Sequence, residues 1–253
     1  MWSSRPPRWA ALSPKRWASD SRGEADMTVQ RLAGDGWLAL LGGGEFTFGE
    51  TVDADRAWMA RSVEGSVAFL PTASGSTEYG EFFTSYIKEG FDRAVDVVPI
   101  FRQRDSRRAR NLARLDAAAA IYLGGGVADH LLEAIAEEPA LETLSRRLVE
   151  GGVVVAISAA AQACGVAARS IFGGATVPGF GWLPGGVVEP NFDPAHDRRL
   201  RELLQEPGVS WGLGIPAGSA VLMGPGDEIE VVGTVFSLDD PDGELTIVSQ
   251  PTQ

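Results

Sequence analysis

Cysteine, histidine and basic residues are scarce in this sequence of 253 residues. The single cysteine excludes an internal disulfide framework, and with only His130 and His196 it cannot build the usual structural zinc site. We therefore expect no metal, and the low cysteine content indicates a reducing cytoplasm. Lys and Arg number 22 against 34 for Asp and Glu, which gives a net charge of −12. An acidic surface repels phosphate backbones, so nucleic acid is not an expected partner.

No segment has the composition of a membrane-spanning helix. Two uncharged windows, residues 151–168 and 170–188, reach the length of about 18 apolar residues that can span a bilayer. The first contains Ser158, Gln162 and three glycines, and the second contains six glycines and two prolines, which break helices. We expect both windows to form the interior of an α/β domain, with no membrane partner.

The N-terminal residues differ in composition from the rest of the chain. Residues 1–26 contain five basic residues, three tryptophans and a Pro-Pro pair, and they lack an apolar stretch of signal-peptide length. We predict that residues 1–35 form a disordered N-terminal extension, with Met27 as an alternative start of translation. Residues 36–253 are predicted to form a single domain.

Short apolar runs alternate with longer amphipathic segments from residue 37 onward. Near-continuous apolar strands imply burial on both faces, which is typical of a parallel sheet covered by helices. The pattern predicts strands at 37–42, 66–72, 95–101, 119–126 and 152–158, and helices at 55–63, 78–91, 106–115, 127–137, 139–150 and 159–168. After a Gly- and Pro-rich connection, it predicts a helix at 194–205 and short strands at 211–215, 219–223, 228–236 and 244–249. The predicted fold class is α/β, a three-layer α/β/α sandwich with a mostly parallel central sheet and short antiparallel C-terminal strands.

Ser158 stands where a buried strand changes into a helix. The strand residues before it are apolar, and the residues after it, Ala159 to Ala161, are small. Such a turn strains the serine backbone, exposes its hydroxyl and directs N–H groups of the helix start toward an oxyanion. The hydrolase pattern Gly-x-Ser-x-Gly is not met, because Ala156 and Ala160 hold the glycine positions. Two interpretations stay open, a nucleophile or a serine that caps the following helix.

Glycine runs follow the first and fourth predicted strands. Gly125 and Gly126, together with Ala159, could present backbone N–H groups as an oxyanion hole, while the alternative is a tight turn without a chemical role. The run Gly42 to Gly44 does not match the dinucleotide-binding pattern. We therefore expect no cofactor.

Several segments occur in an order that points to one family. They are Gly42-Gly43-Gly44-Glu45, Pro71-Thr72-Ala73-Ser74, Glu78-Tyr79-Gly80-Glu81 with Phe91, Ile121-Tyr122-Leu123-Gly124-Gly125-Gly126, the serine turn, and Gly212-Leu213-Gly214-Ile215 with Ser219-Ala220. Over about residues 37–250 the chain resembles the cyanophycinase and peptidase E family of serine peptidases. The resemblance implies a class I glutamine amidotransferase-like fold for residues 36–253, and a triad of serine, histidine and an acid.

The chain departs from that family at two positions of the triad. Ser158 matches the nucleophile, but Asn191 stands at the histidine position and Ala217 at the acidic position. His196, five residues after Asn191, is the candidate replacement base, and its alternative is a solvated surface imidazole.

Two functions therefore remain open. The first is a serine-type peptidase-like hydrolase that acts on a short peptide or an acidic dipeptide through Ser158, with doubtful efficiency because a serine needs a base. The second is a catalytically inactive homologue that binds a small peptide or an amino-acid-like ligand in the same pocket. A homodimer is compatible with either function.

Overall fold

The computed structural model describes residues 29–136, 138–173 and 176–248. Its strands in these ranges are β1 Trp37–Leu41, β2 Val67–Leu70, β3 Val95–Val97, β4 Ala120–Leu123, β5 Val153–Ile157, β6 Ala167–Arg169, β7 Thr176–Pro178, β8 Gly186–Pro190, β9 Trp211–Ile215, β10 Ala220–Met223, β11 Ile229–Val232, β12 Phe236–Leu238 and β13 Thr246–Ile247. Its α-helices are α1 Val52–Arg61, α2 Thr77–Phe91, α3 Gln103–Ser106, α4 Ala109–Ala117, α5 Ala128–Ile135, α6 Pro139–Val149, α7 Ala159–Ala163 and α8 Arg198–Leu204. Short 3-10 helices span Phe46–Phe48, Pro194–His196 and Pro225–Asp227.

The central sheet has seven strands in the order β11-β10-β1-β5-β4-β2-β3. Neighbours from β1 to β3 pair in parallel, whereas β10 and β11 form an antiparallel edge. A second sheet has the order β13-β12-β9-β8, with β8 parallel to β9. The predicted α/β class and its mostly parallel central sheet are confirmed.

Helices cover both faces of the central sheet because its strands are apolar on both sides. In β1, Leu38 and Leu40 contribute to one buried cluster, while Ala39 and Leu41 contribute to the other. The second cluster also contains buried residues of α1 and α2, and the first contains those of α4 to α7. Alternate strand residues point to opposite faces of the sheet. Continuous apolar runs are therefore needed, because both faces are buried under helices.

Several predicted element boundaries are wrong. The strand predicted at 95–101 ends at Val97, and the helix predicted at 194–205 is a 3-10 helix, Pro194–His196, followed by α8. The helix predicted at 159–168 ends at Ala163, and Ala167–Arg169 is a strand. The carbonyls of Ala163 and Cys164 accept hydrogen bonds from Phe180 N and Trp182 N, so they are not free to continue the helix. The predicted strand 228–236 is broken by Gly233 at φ +71°, and the predicted helix 106–115 is split into α3 and α4.

The last part of the predicted N-terminal extension packs against the domain. Val29 is buried, and the Arg31 guanidinium donates hydrogen bonds to four backbone carbonyls at 2.5 to 3.1 Å, including that of Gly224. Leu32 N donates to Trp182 O at 2.6 Å. Residues 1–28 of the predicted extension lie outside the described residues. Within the described ranges, no helix combines the length and apolar character needed to cross a bilayer.

A buried carboxyl group joins α1 to α2. Asp55 has no solvent exposure, and it accepts hydrogen bonds of 2.7 Å each from Trp58 Nε1 and Tyr86 Oη. Burial raises the pKa of Asp55, and the hydrogen bonds that it accepts partly offset this rise. Without the carboxyl group, Trp58 Nε1 would lose its acceptor, and the Tyr86 hydroxyl would keep only a 3.5 Å contact with Thr51 Oγ1.

We predict that Asp55→Ala lowers the free energy of unfolding by about 2 to 4 kcal/mol, because the buried Trp58 N–H and the partly buried Tyr86 hydroxyl lose their acceptor. The matched control is Asp53→Ala on the same helix, whose exposed ion pair with Arg56 contributes at most about 1 kcal/mol. Denaturant titration measures both changes. Equal losses in the two variants would contradict the prediction.

The raised pKa of Asp55 also predicts a pH dependence. Its stabilising contribution is complete below the pKa of the unfolded chain and is lost as the pH rises through the folded pKa. Asp55→Asn keeps an acceptor oxygen but cannot ionise, so its unfolding free energy should fall less than that of wild type between acid and neutral pH. Parallel pH profiles of wild type and Asp55→Asn would contradict this expectation.

Candidate active site

Ser158 lies in a strained turn at the carboxyl end of β5. Its backbone has φ 55° and ψ −119°, and its N–H donates to Leu41 O at 2.9 Å. For a residue with a side chain, such a conformation costs about 1 to 3 kcal/mol and persists only where surrounding contacts impose it. The Ser158 hydroxyl makes no capping hydrogen bond to α7. Its side chain is therefore available at this edge of the sheet, where Ser158 is half-buried.

Asn191 contacts Ser158 directly. Asn191 Nδ2 donates a hydrogen bond of 3.3 Å to Ser158 Oγ, and Asn191 N donates to Gly42 O at 2.7 Å. Asn191 follows β8 and has φ 50°, a left-handed conformation that asparagine tolerates better than most residues. The structure thus brings together the nucleophile candidate and the residue at the predicted histidine position.

The glycine run after β1 provides the space for Asn191. A Cβ atom on Gly43 would lie 2.2 Å from Asn191 Oδ1, and Gly43 has φ 141°. A Cβ atom on Gly42 would lie 2.2 Å from both Ile215 O and Pro216 O. The sequence analysis missed this role, because it compared the run with the nucleotide-binding pattern and with the family segments but did not connect it with Asn191. The signal was present as a triple glycine at a strand end in a sheet whose ligands bind at that edge.

Two of the three predicted oxyanion-hole residues, Gly125 and Ala159, lie beside Ser158, whereas Gly126 packs elsewhere. A Cβ atom on Gly125 would lie 3.4 Å from Ser158 Cβ, and Ala159 follows Ser158 at the start of α7. Gly126 instead packs against the loop after β2, where its Cβ would lie 2.3 Å from Ala73 O. Burial raises the pKa of Tyr79, and a hydrogen bond from the Gly125 backbone partly offsets this rise.

The acidic position of the triad lies at the site but carries no carboxylate. Ala217 is exposed in the turn between β9 and β10. The next residue, Gly218, donates its N–H to Gly43 O at 3.0 Å, which holds this turn against the glycine run. A methyl group cannot orient an imidazole, so the position makes no contribution to proton transfer.

His196 is not joined to Ser158. It ends the 3-10 helix Pro194–His196, its side chain is 82% exposed, and its Nδ1 lies 2.7 Å from Asp193 Oδ2. His130, the other histidine, lies on α5, with its ring 6.5 Å from the Phe172 ring. Among the described residues, the structure shows no histidine hydrogen-bonded to Ser158.

An ion pair with a buried carboxylate supports the strand that precedes Asn191. Glu189 on β8 is 3% exposed, and Arg169 on β6 donates two hydrogen bonds to it at 3.0 and 2.8 Å. Burial raises the pKa of Glu189, and Arg169 partly opposes this rise. The pair ties the segment after α7 to the segment before Asn191, and so connects both sides of the candidate site.

A sequence model described as Peptidase family S51 matches residues 38–231. The chain belongs to peptidase family S51. This membership supports a peptidase-like hydrolase, and the match covers the strands that carry Ser158 and Asn191. A comparison with curated proteins found no match.

Two solved structures share the fold of this S51 chain. A peptidase from an acI-B1 Actinobacterium is 22% identical with a TM-score of 0.66, covering 85% of this chain and 97% of its own. A candidate peptidase E protein from Listeria monocytogenes EGD-e is 16% identical with a TM-score of 0.59, covering 78% of this chain and 98% of its own. At these identities the two structures establish the architecture and leave the chemistry to the residues of the site.

The strain at Ser158 leads to a stability prediction. Ser158→Gly should raise the free energy of unfolding by about 1 kcal/mol, because glycine adopts positive φ without a Cβ clash. Ser158→Ala is the matched control, since it removes the same hydroxyl but keeps the strain. Denaturant unfolding of both variants measures the difference, and a Gly variant no more stable than the Ala variant would contradict the strain argument.

Proposed function

We propose that this protein is a serine-type peptidase-like hydrolase that acts on short peptides or acidic dipeptides with Ser158 as its nucleophile. The observation that carries the proposal is the backbone of Ser158, held at φ 55° at the carboxyl end of a central parallel strand. That conformation projects the hydroxyl from the sheet edge, as a nucleophile requires. Membership of a peptidase family supports a peptide as the substrate, and the acidic dipeptide is our expectation from the resemblance to peptidase E.

The proposed reaction is attack of Ser158 Oγ on a peptide carbonyl carbon, which forms a tetrahedral oxyanion. The N–H groups of Ala159 and Gly125 would stabilise that oxyanion. When the oxyanion collapses, the C–N bond breaks, the amine leaves with a proton, and water then hydrolyses the acyl-serine. The serine proton has to leave as the first bond forms. An asparagine amide does not accept a proton near neutral pH, so the proton passes to water or to a group of the substrate.

Turnover without a base is expected to be slow. In triad enzymes that lack one member, the oxyanion hole and substrate binding retain about 10³- to 10⁴-fold acceleration over water. We expect this protein to work in that range, because Asn191 and Ala217 occupy the two supporting positions.

A second candidate function is favoured by the hydrogen bond from Asn191 to Ser158 Oγ. A catalytically inactive homologue would use these two polar side chains to bind a small peptide or an amino-acid-like ligand. In this case Ser158 and Asn191 would serve as hydrogen-bonding groups, and the family architecture would be kept for recognition alone.

Labelling with a fluorophosphonate distinguishes the two functions, because the reagent requires a reactive serine. The hydrolase predicts labelling of wild type that is lost in Ser158→Ala and retained in Ser74→Ala, a serine in the loop after β2. Intact-mass spectrometry and peptide mapping measure the adduct. A folded wild-type protein that stays unlabelled would reject the hydrolase and favour the binding function.

Replacement of the missing base should increase reactivity. We expect Asn191→His to raise the rate of fluorophosphonate labelling by about 10²-fold, the lower end of general-base contributions. Asn191→Gln is the control, since it keeps an amide and supplies no base. Equal rates in the two variants would show that the position does not reach the serine in a productive geometry.

A further inference from the structure

A cleft of about 1170 Å³ opens at the carboxyl edge of the sheet beside the loop that follows β2. Strands β2 and β4 are neighbours, and the strands that follow them in the chain, β3 and β5, lie on opposite sides of this pair. The connections after β2 and β4 therefore run in opposite directions along the sheet. Ligands of parallel α/β sheets bind in crevices at such reversals. The volume slightly exceeds the range of about 300 to 1,000 Å³ that is usual for small-molecule sites.

The cleft is separate from the site around Ser158. Thr72, Gly75 and Ser76 of the loop after β2 line it, whereas Ser158 and Asn191 do not. The same loop packs against Gly126, whose Cβ would lie 2.3 Å from Ala73 O. One loop therefore forms a boundary of the cleft and contacts the glycine turn of the candidate active site.

The walls of the cleft carry exposed charges of both signs. Arg102 and Arg104 lie on the segment between β3 and α4, and Glu78 and Glu133 lie on α2 and α5. In the part of the chain that the structure describes, Arg102, Glu78 and Glu133 make no salt bridge, and the carboxylate paired with Arg104 is that of Asp105 at 4.0 Å.

A buried polar group without a partner also lines the cleft. Thr72 is 2% exposed, and its hydroxyl has no hydrogen-bond partner among the described residues. Buried polar groups normally have a partner, and within the described residues the hydroxyl of Thr72 shares the lack of one with polar side-chain atoms of Tyr122, Arg147 and Gln162, which lie outside the cleft lining. Asp105 also lines the cleft, but its carboxylate already has partners in the protein. It accepts a hydrogen bond from Phe101 N at 3.3 Å and forms an ion pair with Arg108 at 3.1 Å.

We propose that this cleft is a second, non-catalytic site for a zwitterion, either a free amino acid or a short peptide with both termini free. Arg102 and Arg104 would bind its carboxylate, while Glu78 and Glu133 would bind its ammonium group. A ligand with both charges matches the walls better than a simple anion, which the acidic protein repels. The site goes beyond the proposed function and does not depend on Ser158 as a nucleophile.

Calorimetric titration with glycylglycine tests the proposal in the full chain carrying Ser158→Ala, so that hydrolysis does not interfere. Binding is expected to weaken by about tenfold or more in Arg102→Gln and in Glu133→Gln, which each remove a charged partner. Arg110→Gln and Glu142→Gln, exposed residues outside the cleft lining, are the matched controls and should bind as the parent does. N-acetylated and C-amidated glycylglycine should each bind about tenfold more weakly than the free dipeptide.

Changes in backbone amide chemical shifts on addition of the dipeptide show where it binds. Shifts confined to residues 72–78, 101–105 and 130–134 support the proposal. Shifts around Gly43 and Ser158 would place the dipeptide in the candidate active site and overturn it. Absence of binding at millimolar dipeptide would also overturn it. So would inorganic phosphate that binds as tightly as the dipeptide and equally well to the parent and to Glu133→Gln. Because fluorophosphonate labelling reports only on Ser158, the failure of either proposal is recognised separately.

Discussion

Backbone segments from distant parts of the chain meet without intervening side chains at the carboxyl edge of β1 and β5, and this close approach determines the candidate active site. Gly42 O accepts the N–H of Asn191, and Gly43 O accepts the N–H of Gly218. Any side chain at Gly43 would occupy the position of the Asn191 amide. The glycine run is thus a steric requirement, and it fixes where Asn191 lies relative to Ser158.

At this edge of the sheet, backbone contacts determine the geometry of the site, and side chains determine its reactivity. Backbone contacts hold the serine turn, the glycine run and the turn after β9 in place, and these contacts do not depend on the side chains at positions 191 and 217. An asparagine and an alanine, which do not transfer protons near neutral pH, can therefore stand at these positions while the backbone of the site is retained. Two functions stay compatible with one fold for this reason, because fold and site chemistry are set by different atoms.

The central sheet and the serine turn could be predicted because their signals are local. The apolar runs at 37–41 and 153–157 are continuous, and small residues follow Ser158. Strand β8 was missed because it follows a Gly- and Pro-rich segment, and its pairing with β9 requires residues more than 20 positions away. The two strands also pack closely under α8, since a Cβ atom on Gly212 of β9 would lie 2.7 Å from the side-chain ends of Leu200 and Leu204. Such contacts are properties of the assembled fold and leave no periodic pattern in the sequence.

The position of Asn191 shows why the site could be predicted in part only. The resemblance placed residue 191 opposite the serine, and the structure shows a hydrogen bond between them. The direction of that bond follows from chemistry, because an amide nitrogen can only donate to Ser158 Oγ. A donor to the hydroxyl oxygen uses a lone pair without helping the proton to leave, whereas an imidazole with a free nitrogen would accept the proton. The reactivity of this S51 chain therefore depends on where the serine proton goes, and backbone geometry alone does not determine that.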